Sequence, residues 1–299
     1  MKTIHFHIGS GRCGSTLVQV CFNEGALRSL LEEFGIHVDM NVYTALNDLA
    51  PITGFAEADF RPVRNERIRP HKVSSYSSFI FTQEAMIGMA FDKGQPNFCA
   101  DMCDALAYLT DGFDLRPIII LRRQDGFIES LYNQVLKRGE TRDFETYLDE
   151  FPLQNLEWDA VCAPFVERFG ADSTAVIPYD RPVLKSAGDD HFIQAMMRAL
   201  GLPAEIRLDA ESLPVVNASL APRVREIQRL ANRTLSSEEA HGLAYWFEKH
   251  IIKQPGDRHD LMGPDRRRAL GERFRESNRR YFATYLPDHD PAHYLDDWA

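Results

Sequence analysis

The passage IHFHIGSGRCGSTL, Ile4 to Leu17, constrains this chain more than any other. A short apolar run ends in three closely spaced glycines, and an apolar-periodic segment follows at once, which reads as strand, tight turn and helix. Glycines at 9, 11 and 14 let the backbone turn sharply and approach a ligand closely. Successive backbone N–H groups and a helix N-terminus converge in such a unit on one small volume, which favours an anion. Ser15 and Thr16 add hydroxyl donors there, and Arg12 adds a permanent positive charge. The turn reads as a phosphate cradle.

The P-loop pattern G-x-x-x-x-G-K-[ST] fits Gly9, Gly14 and Thr16, but its lysine position holds Ser15. A nucleotide kinase or NTPase of that type sets the lysine on the β- and γ-phosphates. Here the cation comes earlier, within Gly11-Arg12-Cys13-Gly14-Ser15-Thr16. Cys13 reads as the small residue the turn needs and not as a nucleophile.

The acidic balance narrows the ligands. The 299 residues carry a formal charge of −10, from 34 basic and 44 acidic side chains, which argues against a nucleic-acid partner. An anion must then be caught locally and not by the global field. There is no twenty-residue apolar span, and Met1-Lys2 leads straight into a strand, so a cytoplasmic protein without an integral membrane segment is expected. Five cysteines, an odd number, read as thiols. Cys99 and Cys103 have no second pair at metal-site spacing, and no metal is expected.

Along the chain, residues 14–34 are helical in pattern, with a break near Asn23-Glu24-Gly25, and 36–40 form a short strand. Residues 41–75 read as irregular, punctuated by Pro51, Pro62 and Pro70, with a basic cluster of Arg61, Arg64, Arg67, Arg69 and Lys72. Residues 78–82 form a buried-type strand, and Phe98, Met102, Leu106 and Leu109 mark a helix. Pro117 to Leu121 is apolar throughout, as a central parallel strand covered on both faces should be. Helices at 126–137 and 143–150, a strand at 175–179 and a helix at 190–200 follow. This alternation predicts an α/β fold, a three-layer sandwich around a central parallel sheet of the P-loop NTPase type. Helices at 221–232, 236–250 and 264–285 make residues 210–299 a mostly helical C-terminal addition, expected to pack on the sheet within one domain spanning 1–299.

The central strand runs into LRRQDGFIESLYNQ, Leu121 to Gln134. Ligands of open α/β sheets bind beyond the carboxyl ends of the strands, so Arg122 falls beside the glycine turn if the two strands are neighbours. Ser130 comes eight residues later, two turns into the next helix, and can face back toward Arg122. Together the two stretches resemble the sulfotransferases, and the run as a whole is similar to bacterial sulfotransferase-like proteins. Val176-Ile177-Pro178-Tyr179-Asp180 resembles their strand ending in Tyr-Glu, and residues 268–286 resemble their terminal helix.

The resemblance implies a transfer of the sulfuryl group from 3′-phosphoadenosine 5′-phosphosulfate to the hydroxyl of a small-molecule or saccharide acceptor. It implies that Gly11, Arg12, Cys13, Gly14, Ser15 and Thr16 bind the 5′-phosphosulfate, with Arg12 catalytic. It implies too that Arg122 and Ser130 hold the 3′-phosphate and that no metal is needed. A base must take the acceptor's proton. Phe81-Thr82-Gln83-Glu84 resembles a Ser-Ser-Glu stretch of related sequences, which makes Glu84 the first candidate, with Asp39, His37, His71 and Asp101 as rivals. His5 and His7 alternate on one strand face and read as core histidines. A P-loop kinase or NTPase, or a catalytically silent nucleotide-binding protein, are the alternatives. Oligomeric state is not legible in the sequence.

Overall fold

Five strands form one parallel sheet in the computed structural model, which describes residues 1–23, 26–47, 55–83, 98–214, 216, 220–251 and 261–298. They are β1 (Thr3–Gly9), β2 (Ile36–Val38), β3 (Ser78–Gln83), β4 (Asp114–Leu121) and β5 (Ala175–Pro178), in the order β2-β3-β1-β4-β5. Helices flank the sheet, as the alternation of the sequence predicts. In chain order the helices of the described residues are α1 (Ser15–Asn23), α2 (Ala26–Glu33), α3 (Asn41–Asn47), α4 (Glu57–Val63), α5 (Phe98–Leu109), α6 (Gln124–Lys137), α7 (Phe144–Asp149) and α8 (Trp158–Phe169). Then come α9 (Arg181–Ser186), α10 (Phe192–Ala199), α11 (Pro222–Thr234), α12 (Ser237–His250), α13 (Pro264–Tyr285) and α14 (Ala292–Leu295).

β1 lies in the middle because it can be covered everywhere: from Ile4 to Gly9 every residue is buried. It pairs with β3 from Thr3–Ser78 to Ile8–Gln83 and with β4 from Thr3–Asp114 to Gly9–Ile120. Phe6 meets Phe81 edge-on, with ring centroids 6.1 Å apart. Each such ring stabilises the sheet by about 1.5–3 kcal/mol relative to exposure. The chain crosses from β3 over β1 to β4, so the order reverses at β1, and open α/β sheets bind ligands beyond the carboxyl ends of the strands at such a point.

β4 starts three residues before the apolar run that announces it and takes in Pro117. Backbone direction explains why proline is tolerated in a central strand. Asp114 N–H bonds the Lys2 carbonyl on the β1 side and the Leu121 carbonyl accepts from Tyr179 on the β5 side. Alternation therefore turns residue 117 toward β5, which begins pairing only at Ile118–Ala175. No ladder bond is lost.

Residues 41–75 correct the sequence reading. In place of an irregular stretch, the described residues form α3, α4, a π-helical turn Arg64–Ile68 and a 3-10 turn Arg69–Val73. Phe60, Val63 and Ile68 bury one side of this path. Pro62 lies inside α4, so reading the prolines as breakers hid the apolar face. The helices α8 and α9 are likewise additions to the sequence reading.

The chain divides into two compact units. The first comprises Met1–Arg122, Pro152–Pro214 and Phe274–Asp297 and holds the whole sheet. The second comprises Arg123–Phe151, Val215–Arg273 and Trp298–Ala299, and its described elements are helical. Within it, Asn232 Nδ2 donates to the carbonyls of Leu136 (2.8 Å) and Glu140 (2.7 Å), and Gln228 Nε2 donates to that of Ala240 (2.9 Å). These bonds give donors of α11 backbone carbonyls as acceptors and tie α11 to α6 and α12.

Candidate functional site

The glycine turn lies at the carboxyl end of β1. Gly11, Arg12 and Gly14 have φ of 60°, 58° and 80°, and Arg12 is the one non-glycine at positive φ among the described residues. A left-handed residue with a β-carbon costs on the order of 1–3 kcal/mol and persists only where its surroundings fix it. The Ser10 hydroxyl supplies part of that fixing. It donates to the Ile120 carbonyl (3.1 Å), tying the turn to β4, and lies 2.8 Å from Cys13 Sγ. The buried Cys13 thiol is pushed up to about 12 by its burial, against the pull of Ser10, Arg122 and Arg12. A thiol so protonated is a packing group and no nucleophile.

Ser15 opens α1 with its Oγ buried and without a hydrogen-bond partner. Arg122 leaves β4, the immediate neighbour of β1, so the sequence's condition on strand adjacency is met. Its carbonyl accepts from Trp158 Nε1 (2.9 Å), and its Nε is buried without a partner. Its guanidinium lies 5.3 Å from the centre of the Tyr179 ring. Burial raises the Tyr179 phenol above its ordinary range, opposed by the positive charges of Arg122 and Arg12. The positive charges of Arg122 and Arg12 both pull down the Cys13 thiol and the Tyr179 phenol, at the locus where β1, β4 and β5 end.

Beside that locus lies a cavity of about 300 Å³. Tyr179, Asp180, Leu184, His191 and Phe192 are among its lining residues, with Asp190 and Glu211. Asp180 accepts a hydrogen bond from the Tyr294 hydroxyl (2.6 Å). His191, Phe192 and Tyr294 were not legible as site residues. They follow no motif, and only the packing of the carboxyl-terminal residues and of α10 against the end of β5 brings them there.

Ser130 sits on α6 and is buried, in the second unit. The same unit engages Arg123, which makes two bonds of 2.8 Å to Asp125 and lies 4.9 Å from the Trp298 ring. Arg123 is therefore engaged by Asp125 and by the Trp298 ring. Arg267 bonds Asp125 (2.7 Å) and Glu129 (3.0 Å), and Glu129 also accepts the N–H groups of Leu261 and Met262, each at 3.2 Å. Burial would raise the Asp125 carboxyl, but Arg123, Arg267 and the Gly126 N–H outweigh it and hold it low. Burial raises Glu129 to about 7, with Arg267 opposing and Asp125 adding to the rise.

Among the candidate bases, Glu84 lies outside the described residues. Asp39, His71 and His37, which the sequence offered singly, are drawn into one cluster. Asp39 bonds His71 Nε2 (2.9 Å) and the Asn41 N–H (2.8 Å), and His37 stacks on Tyr76 at 4.8 Å. Asp39 follows the Val38–Ile80 pair, short of the Ile8–Gln83 pair from which β1 enters the glycine turn. His71 also rests on the Phe79 and Phe81 rings. Asp101 stands in the first turn of α5. His7 is fully buried, bonds Thr82 Oγ1 (2.8 Å) and is driven by burial down to about 3, so its imidazole is neutral. His5 is likewise lowered to about 4, chiefly by burial.

Among the described residues no helix is long and apolar enough to cross a membrane, and no group of three or more His, Cys, Asp or Glu side chains is arranged to hold a metal ion. No protein-family model matches the sequence, and no curated protein matches it. A crystal structure of a sulfotransferase from Alicyclobacillus acidocaldarius is similar over 95% of this chain and 95% of that one, with 12% sequence identity and a TM-score of 0.49.

Proposed function

We propose that this chain is a sulfotransferase that uses 3′-phosphoadenosine 5′-phosphosulfate to modify a hydroxyl-bearing acceptor, saccharides included. The observation that carries the proposal is a pair of unmet donors at the carboxyl ends of adjacent strands. Ser15 Oγ follows β1, Arg122 Nε follows β4, and both are buried without a partner. Leaving such a group unsatisfied costs about 1–3 kcal/mol, which phosphate oxygens, as acceptors, relieve. Both residues are donors, so the pair suits an anion. A P-loop kinase sets a lysine where this chain has Ser15, and a nucleotide phosphorylated at both 3′ and 5′ positions gives Arg122 a phosphate of its own.

When bound, the donor supplies a sulfuryl group activated by its anhydride with phosphate. In this reading the Gly11–Thr16 backbone and the Ser15 and Thr16 hydroxyls hold the 5′-phosphate. Arg12 stabilises the negative charge that gathers on the departing phosphate oxygen. Arg122 holds the 3′-phosphate, and Ser130 is assigned to it by sequence spacing alone. Glu84, directly after Gln83, takes the acceptor's proton.

Thermal denaturation without magnesium tests the donor. Adenosine 3′,5′-bisphosphate is expected to raise Tm more than ATP, ADP or AMP, and a preference for Mg-ATP overturns the proposal in favour of a kinase. A donor-dependent acceptor screen by mass spectrometry then tests turnover through the mass gain of one sulfuryl group.

A further inference from the structure

Gly14 and Arg122 belong to different strand ends, yet a continuous line of rings joins them. Phe192, the first residue of α10, is buried, and its ring presses on Gly14. A β-carbon on residue 14 would lie 2.3, 2.9 and 3.0 Å from three of its ring carbons, so the ring fills the space a side chain would need. The Phe192 and Tyr179 ring centres are 5.1 Å apart, and Arg122 stands 5.3 Å from the Tyr179 centre. His191 packs on Phe192 with ring centres 4.5 Å apart, and its Nδ1 accepts the Ile193 N–H (3.2 Å), fixing where α10 begins. The line therefore runs Gly14, Phe192, Tyr179, Arg122, and its two rings line the cavity of about 300 Å³.

We infer that Phe192 is a positioning residue that couples the glycine turn to Arg122, so that the two phosphate-binding elements work as one. The inference rests on the donor reading above. Interiors are close-packed, so a ring held between a glycine and a second ring has little freedom, and it transmits displacement in either direction. With the ring gone, Tyr179 can tilt into the space and take away the aromatic face that Arg122 rests on. The left-handed Gly14 loses its cover at the same time. Side chains that merely fill volume restore packing density but not this planar contact on both sides.

The test is calorimetric titration of the whole chain with adenosine 5′-monophosphate and adenosine 3′,5′-bisphosphate. The ratio of the two Kd values measures what the 3′-phosphate adds, expected to be at least about tenfold in the native protein for a charge-assisted contact. Phe192→Leu is expected to weaken binding of the monophosphate and to lower the ratio to about threefold or less. A role confined to stability lowers Tm and leaves the ratio unchanged, and that result overturns the inference. Tyr179→Leu removes the second ring without touching Gly14, and is expected to lower the ratio while sparing the monophosphate. It carries the test if Phe192→Leu does not fold, and an unchanged ratio there overturns the inference too. A native protein that gains nothing from the 3′-phosphate instead overturns the donor reading on which the inference stands.

Discussion

The Arg122 guanidinium stands 5.3 Å from the centre of the Tyr179 ring, and its Nε is buried without a protein acceptor. An arginine supported on an aromatic face but unmet at a buried nitrogen is prepared for an anion.

Arg122→Ala is expected to remove a charge-assisted contact of about 1.5–3 kcal/mol, roughly ten- to hundredfold in affinity for adenosine 3′,5′-bisphosphate. Affinity for the 5′-monophosphate should change little. Calorimetry with both nucleotides checks this, and equal losses would show that Arg122 does not read the 3′-phosphate.

Gly14→Ala should damage fold and site together. The new methyl meets the Phe192 ring at 2.3 Å, on a backbone with φ of +80° that L-residues resist. A stability loss on the order of 1–3 kcal/mol is expected from the backbone conformation alone, with the ring's displacement adding to it. Denaturant midpoints measure the loss, and a variant of native stability that binds nucleotide normally would refute the packing described.

Glu129 gives a pH signature of the second unit. Its carboxyl is raised from 4.5 to about 7 by burial, so the folded chain binds this proton more tightly than the unfolded chain does. Its contribution to stability is complete below pH 4.5 and is lost as pH rises through 7. Glu129→Gln keeps an acceptor oxygen for Leu261 and Met262 but removes the titration. The stability of the variant relative to the native chain should therefore increase across that interval, measured by urea denaturation at a series of pH values. A constant difference would mean that Glu129 does not titrate there.

Glu84→Gln tests the base. The amide keeps size and polarity but does not accept the proton, and losing a positioned base typically costs ~10²–10⁴ in rate. Donor affinity should stay within error of native. Normal turnover on the true acceptor would remove Glu84 from the mechanism and bring Asp39, His37 or Asp101 to the front.

The fold was legible because its signals are local. An apolar run at 117–121, glycines after β1 and helical periodicity along α5 and α13 each lie within a few turns of chain. Backbone hydrogen bonding converts such patterns into strands and helices wherever they stand. The prolines in 41–75 misled because a short proline-bearing helix relies on burial of Phe60, Val63 and Ile68, which packing among α3, α4 and α5 in the assembled fold provides.

By itself the sequence determined the strand-turn-helix at residues 4–17, the doubly buried central strand, and the residue types at two candidate phosphate-binding stretches. The tertiary structure alone decided that β4 lies beside β1 and that Phe192 covers Gly14. It also decided that Asp39 is bonded to His71 and that Arg123 is bonded to Asp125. The physical reason is range. Turn geometry and periodicity are set by neighbours in the chain, whereas a charge's partner and a glycine's cover come from residues far along it, brought near by burial of the core.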